Sequence, residues 1–360
     1  MILTLLAATA LFLAFSNGAN DNFKGFATVW GSASLSYRTA LILSNAATLA
    51  GGIVSIILAD GLIKQFSGRG LVEDAVAASA PFALSVAGGA GITVALATRL
   101  GFPISTTHAI MGGLIGSALA SGESIALAHL GTQFILPLMS SPIIAAVLGY
   151  VAYRFSPKYR LETDCICIVE VTPALNGTAL AQTAMMPRRI IGSQAECQVH
   201  GDAIASVSIS AVLDRVHIAS AIAICFARAL NDTPKLAALF LGAGVLSTWN
   251  SAIAITAAMV AGGFLLSRRV AETMSLKLSD IGSFQGTVAN LVTSGVVMTA
   301  SAFALPVSTT HVSVGSIIGS GKATDTLDIR TVRAVILSWV VTLPVAVISA
   351  ALAMQLAQSI

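Results

Sequence analysis

The sequence predicts an all-α integral membrane protein of about ten membrane segments, arranged as two inverted-topology repeats with broken or re-entrant helices. Three observations predict it. Hydrophobic residues make up 56% of the 360 and charged residues only 10%, whereas a soluble domain is about a quarter charged. Apolar stretches of about 20 residues, enough for a bilayer, recur at 41 to 59, 80 to 98, 126 to 153, 249 to 266, 282 to 304 and 332 to 355. One polar hexapeptide also occurs twice, Pro103-Ile104-Ser105-Thr106-Thr107-His108 and Pro306-Val307-Ser308-Thr309-Thr310-His311.

The repeat extends beyond the hexapeptide. A glycine follows each histidine by four residues (Gly112, Gly315), and a Gly-Ser pair begins four later. Upstream, Asn20-Asp21-Asn22-Phe23-Lys24 aligns with Asn231-Asp232-Thr233-Pro234-Lys235, at Asp-to-Ser separations of 84 and 76 residues. The chain therefore divides into a first membrane repeat, 1 to 153, a central polar extramembrane segment, 154 to 213, and a second membrane repeat, 214 to 360.

The opening apolar run has no positive leader and runs straight into the polar cluster without a convincing Ala-x-Ala cleavage site, so it reads as a retained segment and not as a cleaved signal. The central segment reads as a connecting loop with minor structure; the alternative is a small β element, since CICIVEV alternates as a short strand does and IASVSISAVLDRVH is a candidate partner. Cys165 and Cys167 lack a second ligand pair at metal-binding spacing and read, with Cys197 and Cys225, as ordinary thiols.

Lysine and arginine placement orients the chain. With five passes per half and the amino terminus outside, 14 of the 19 fall on the inner side and two, Lys64 and Arg69, outside; Lys24, Arg228 and Lys235 lie at the polar clusters. The positive-inside rule thus places both termini outside a cell membrane, inner or plasma, with the central segment cytoplasmic. Five is odd, so the second half enters from the opposite side. The net charge of +3 sits mostly in these membrane-flanking loops and calls for no nucleic-acid partner.

Charged clusters at membrane depth are costly and mark an ion or substrate path. Gly18 and Gly25 flank the first cluster and Pro234 sits inside the second, so each is expected to interrupt its helix where the backbone lines a cavity. Each Ser-Thr-Thr triplet follows a proline and precedes a glycine-spaced apolar run, which puts Ser105, Thr106, Thr107, Ser308, Thr309 and Thr310 at helix amino termini. Free N–H groups, the helix dipole and hydroxyl donors suit a tetrahedral oxyanion there. The plain alternative for a single triplet is helix capping or interhelical hydrogen bonding; its duplication favours the substrate reading.

A carboxylate beside an anion needs an intervening cation, so Asp21 and Asp232 with Asn20 and Asn231 read as coupling-ion sites for sodium or a proton. The alternative is internal ion pairing, Asp21 with Lys24 and Asp232 with Lys235. His108 and His311 are candidate proton carriers, or histidines hydrogen-bonded to neighbouring backbone. The glycine spacing reads as close helix packing.

At Gly18-Ala19-Asn20-Asp21, Ala229-Leu230-Asn231-Asp232 and both Pro-x-Ser-Thr-Thr-His motifs, the sequence resembles the inorganic phosphate transporter (PiT) family. The resemblance spans about 300 residues. It implies an inverted-repeat symporter, dimeric, moving phosphate with sodium or a proton, the Asp motifs serving coupling ions and the triplets serving phosphate. One departure stands out. The family's usual Asn-Asp-Val-Ala-Asn becomes Asn-Asp-Asn-Phe-Lys and Asn-Asp-Thr-Pro-Lys, so Lys24 and Lys235 take the place of an asparagine, compensating charge and pointing to protons as the coupling ion. Sulfate or another oxyanion and a passive anion channel are rival readings. An intramembrane Ser-His-Asp hydrolase is disfavoured because its whole residue set would be duplicated in opposed halves, so no enzymatic activity and no cofactor are expected.

Overall fold

The computed structural model describes residues 1–58, 60–156, 164–171, 186–193, 203–242, 244 and 246–359. Ten principal helices carry the fold: α1 (Ile2–Asp21), α2 (Tyr37–Leu58), α3 (Ala80–Leu100), α4 (Thr106–Ser121), α5 (Leu136–Phe155), α6 (Ile209–Gly242), α7 (Thr248–Leu266), α8 (Ser283–Ala302), α9 (Thr309–Thr324) and α10 (Ile329–Gln358). Among the described residues, six helical stretches are long and apolar enough to cross a membrane: Ile2–Gly31, Ala80–Leu100, Leu127–Phe155, Ile209–Leu241, Thr248–Leu266 and Ile329–Gln358. Many large apolar side chains lie on the exterior, while charged side chains are buried inside. Leu337 is 62% exposed while Lys235 is 1% exposed, an arrangement that only a lipid surround makes favourable.

Helices five apart in the order are counterparts, and they exchange partners across the halves. In the first half α1 packs on α3, and in the second α6 on α8; α1 meets α7 as α6 meets α2, and α4 lies along α10 as α9 lies along α5. This close packing explains the glycine spacing. A Cβ on Gly116 would fall 2.1 Å from the Val347 carbonyl oxygen on α10, and one on Gly319 would fall 2.0 Å from that of Ala146 on α5. Backbone atoms cannot yield as a side-chain tip does. Gly319→Val is therefore expected to destabilise by about 1–3 kcal/mol or more through overpacking, read as a lower thermal midpoint in detergent. Gly295→Ala, with nothing within 4 Å of the added carbon, is expected to leave the midpoint unchanged or raise it.

Two expectations need correcting. The first polar cluster does interrupt its helix: α1 ends at Asp21, residues 22 and 23 turn, and a 3-10 turn spans Lys24–Phe26 before a short helix, Ala27–Gly31. The second does not, because α6 runs unbroken for 34 residues with Pro234 inside it. A proline removes a single N–H donor, and packing along the rest of so long a helix holds the ladder together. The central segment is also more than a connecting loop. Strands β1 (Asp164–Val171), β2 (Met186–Ser193) and β3 (Ala203–Ser208) form an antiparallel sheet in the order β2-β1-β3, with Cys167 opposite Ile190 and Ser206. The second candidate strand stops at Ser208, where α6 begins. Cys197 lies outside the described residues.

Candidate functional site

Asn17, Asn20 and Asp21 share one face of α1, three to four residues apart. The turn after Asp21 brings Lys24 back beneath it. Both members of that ion pair are buried, at 1% and 3% exposure. The Lys24 ammonium also donates to Asn20 Oδ1 at 2.8 Å, to the Ile104 carbonyl at 2.9 Å and to Thr310 Oγ1 at 2.7 Å. Thr310 belongs to the other half of the chain.

The second half repeats this arrangement. Lys235 faces Asp232 Oδ1 at 3.4 Å and donates to the Val307 carbonyl at 2.9 Å and to Thr107 Oγ1 at 3.0 Å. Val307 is the counterpart of Ile104, and Thr107 that of Thr310. Each lysine thus binds its own half's aspartate and its own half's pre-triplet carbonyl, but the opposite half's threonine. The threonines cross as well: Thr310 donates to the Ile104 carbonyl at 2.9 Å and Thr107 to that of Val307 at 3.4 Å.

The triplets stand at helix starts, as their prolines imply. Ser105 caps α4 and Ser308 caps α9 with the same backbone angles, φ −93° and ψ 114°, each hydroxyl accepting from the histidine N–H three residues on, at 3.1 and 3.2 Å. The two approaches to these caps turn alike, through Gly101 (φ 79°) and Ala304 (φ 53°). Glycine takes that left-handed turn without cost, whereas alanine is strained by roughly 1 kcal/mol. Thr106 donates toward Asp21 Oδ2 at 3.4 Å, and Thr309 is 6% exposed. Both the capping role and the internal ion pairs are therefore present, and they coexist with the convergence of the triplets.

The histidine rings meet each other and a tryptophan. Their rings lie 4.7 Å apart between centroids, and the His311 ring sits 3.9 Å from that of Trp339. Neither ring nitrogen of His311 has a hydrogen-bond partner among the described residues, nor has His108 Nδ1. Capping occupies their backbone N–H groups, and the two rings face each other from paired helix starts.

Two participants escaped the sequence reading, Asn17 as a site residue and Arg228 as more than a flanking charge. Asn17 donates to Asp21 Oδ2 at 3.2 Å and to Thr106 Oγ1 at 2.8 Å. Its counterpart Arg228 lies 3.7 Å from Asp232 Oδ2 and donates to Asn22 Oδ1 at 2.7 Å and Thr48 Oγ1 at 2.8 Å. Each stands four residues before its aspartate, so a search one helical turn upstream of the two carboxylates would have found both. Asn45, which accepts from Asn22 Nδ2 at 2.7 Å, was signalled only by being polar in an apolar run.

Chemically, the centre offers two helix amino termini, threonine hydroxyls and three cationic side chains to an oxyanion, and two carboxylates to cations. No cluster of His, Cys, Asp and Glu able to hold a metal ion occurs among the described residues.

A buried charged centre at the junction of two like halves, inside an apolar lipid-facing shell, defines a multi-pass membrane protein of the ion-transport class. Residues 17–350 match the phosphate transporter family, and the chain belongs to that family. It is 27% identical to a protein of Bacillus subtilis described as a "probable low-affinity inorganic phosphate transporter", over 98% of this chain and 96% of that one. It is 25% identical to the chloroplastic inorganic phosphate transporter 2-1 of Arabidopsis thaliana, over 94% of this chain and 70% of that one. Among solved structures, one titled "The sodium-dependent phosphate transporter" shares the fold at a TM-score of 0.77 and 19% identity, covering 100% of this chain and 99% of the other.

Proposed function

We propose that this chain is a secondary active symporter of inorganic phosphate built from two inverted repeats, and that the coupling ion is a proton. The observation that carries this reading is the crossed lysine arrangement, in which the Asp–Lys pair of each half holds a threonine of the other half's triplet. Protonating an aspartate releases its lysine, and the freed ammonium and threonine hydroxyl turn toward the oxyanion. Coupling ion and substrate are then linked through one side chain in each half.

The inverted arrangement of ten passes has support in the way loops meet. Ser34 bonds Asp214, which also accepts from Ser283, and Arg269 bonds the Arg99 carbonyl, all assigned inside by charge. Ala126 bonds the Leu71 carbonyl, both assigned outside. No loop in these pairs joins the two sides, as an even number of passes with both termini on one side requires.

Sodium coupling is the second reading, favoured by the shared fold with a sodium-dependent phosphate transporter of known structure. Against it, the Lys24 ammonium already engages the Asn20, Asp21, Ile104 and Thr310 oxygens that a sodium ion would use. Uptake of labelled phosphate into proteoliposomes separates the readings. The expected result is accumulation driven by an acid-outside gradient without sodium, with competition by arsenate. Uptake that requires sodium and ignores the pH gradient overturns proton coupling; equilibration without accumulation would indicate a channel.

A further inference from the structure

We infer that the cleft between α1, α3 and α7 is a binding site for one anionic phospholipid that bridges the two halves. This rests on features outside the phosphate centre. The cleft encloses about 670 Å³. Its walls include Phe12, Leu96 and Leu265, which are 42%, 50% and 71% exposed and so face the hydrocarbon. Its rim carries Arg99, at the end of α3, with Arg268 and Arg269 just past the end of α7. Three guanidiniums meet one carboxylate there, Glu272, which Arg268 binds at 3.1 Å.

Apolar walls at acyl-chain depth under an arginine rim at headgroup depth match an amphiphile with a negative head. Guanidinium forks suit a phosphodiester, and the charge-assigned inner side is where anionic lipids attract basic residues. A free oxyanion would answer the rim but not the walls. A second copy of the chain would bring like charge to like charge. Deeper in, Ser16 lines the cleft with its hydroxyl buried, 2% exposed and without a partner among the described residues.

The position gives the lipid leverage. Arg99 belongs to the first half, Arg268 and Arg269 to the second, so one phosphodiester held by all three ties the halves at this face. Thr98, also lining the cleft, accepts from Asn20 of the central cluster at 2.9 Å. Occupancy therefore braces the wall against which Asn20 is set.

The test uses the full-length protein in neutral detergent, titrated with phosphatidylglycerol or phosphatidylcholine and read by native mass spectrometry. Wild type is expected to retain phosphatidylglycerol over phosphatidylcholine. The R99Q/R268Q/R269Q variant is expected to lose that preference by about tenfold to a hundredfold. R330Q/R333Q, which removes two exposed arginines elsewhere, should keep it. Ala95→Trp fills the cleft with all three arginines in place, and should lose the lipid by displacement even if the triple variant fails to fold. Equal loss in R330Q/R333Q, retention by Ala95→Trp, or displacement of the lipid by inorganic phosphate overturns the inference.

Discussion

Asp21→Asn is expected to abolish coupled phosphate uptake and to lower stability by about 3–5 kcal/mol, the range for leaving one member of a buried ion pair without its partner. Lys24 would keep its neutral acceptors at Asn20, Ile104 and Thr310, but no anion would balance it. The new asparagine keeps one acceptor oxygen, so its NH2 faces either Lys24 or the Asn17 and Thr106 donors that Asp21 Oδ2 now accepts from. Asp232→Asn is expected to abolish uptake likewise, with Lys235 and Arg228 both losing their carboxylate. Two measurements are needed, the thermal midpoint in detergent and gradient-driven uptake in proteoliposomes. The double variant Asp21→Asn with Lys24→Asn removes both charges and is expected to recover much of the midpoint while remaining inactive with a proton gradient. Undiminished uptake in Asp21→Asn and Asp232→Asn removes these residues from the coupling site.

Lys24→Asn combined with Lys235→Asn is expected to convert ion dependence. Removing the two ammoniums frees the Asn20, Asp21, Ile104 and Thr310 oxygens on one side and the Asp232, Val307 and Thr107 oxygens on the other. Each set combines a carboxylate, a backbone carbonyl and a hydroxyl, hard donors that hold an alkali cation without a metal-specific cage. Uptake by this variant should require sodium, and uptake by the wild type should not. If the variant stays indifferent to sodium while still folded, the lysines do not stand in for a cation. A wild type that already requires sodium overturns the same proposal from the other side.

These effects depend on features that differ in how far local sequence reveals them. The apolar runs became helices with ends shifted by a few residues: 80 to 98 is α3, Ala80–Leu100, and 249 to 266 is α7, Thr248–Leu266. The capping serines were legible because a proline before and a helix-forming run after fix the cap within one turn. The ion pairs were legible too, since residues three apart on a turn meet whatever the rest of the chain does. The interruption at Pro234 was misjudged for the converse reason: whether a proline breaks a helix depends on packing along the whole of α6, which local sequence does not encode.

By itself, then, the sequence determined the membrane class, the duplication and the two helix starts, and it offered the pairing of each aspartate with its lysine as one of two readings. These follow from composition and from contacts within one helical turn. Only the tertiary structure decided that Lys24 reaches Thr310 and Lys235 reaches Thr107, pairs separated by 286 and 128 residues. It also decided that His311 stacks on Trp339, that Arg228 reaches across to Asn22, and that Arg99 shares a cleft with Arg268 and Arg269. The physical reason is that each of these contacts joins segments far apart in the chain: α6 with α4 and with the turn after α1, that turn with α9, α9 with α10, and the end of α3 with the segment past α7. Each depends on how the helices pack, at separations set by glycines touching facing backbone or side chains. Helical periodicity states which face of a helix is apolar or polar, and the packing of the two halves selects what that face meets.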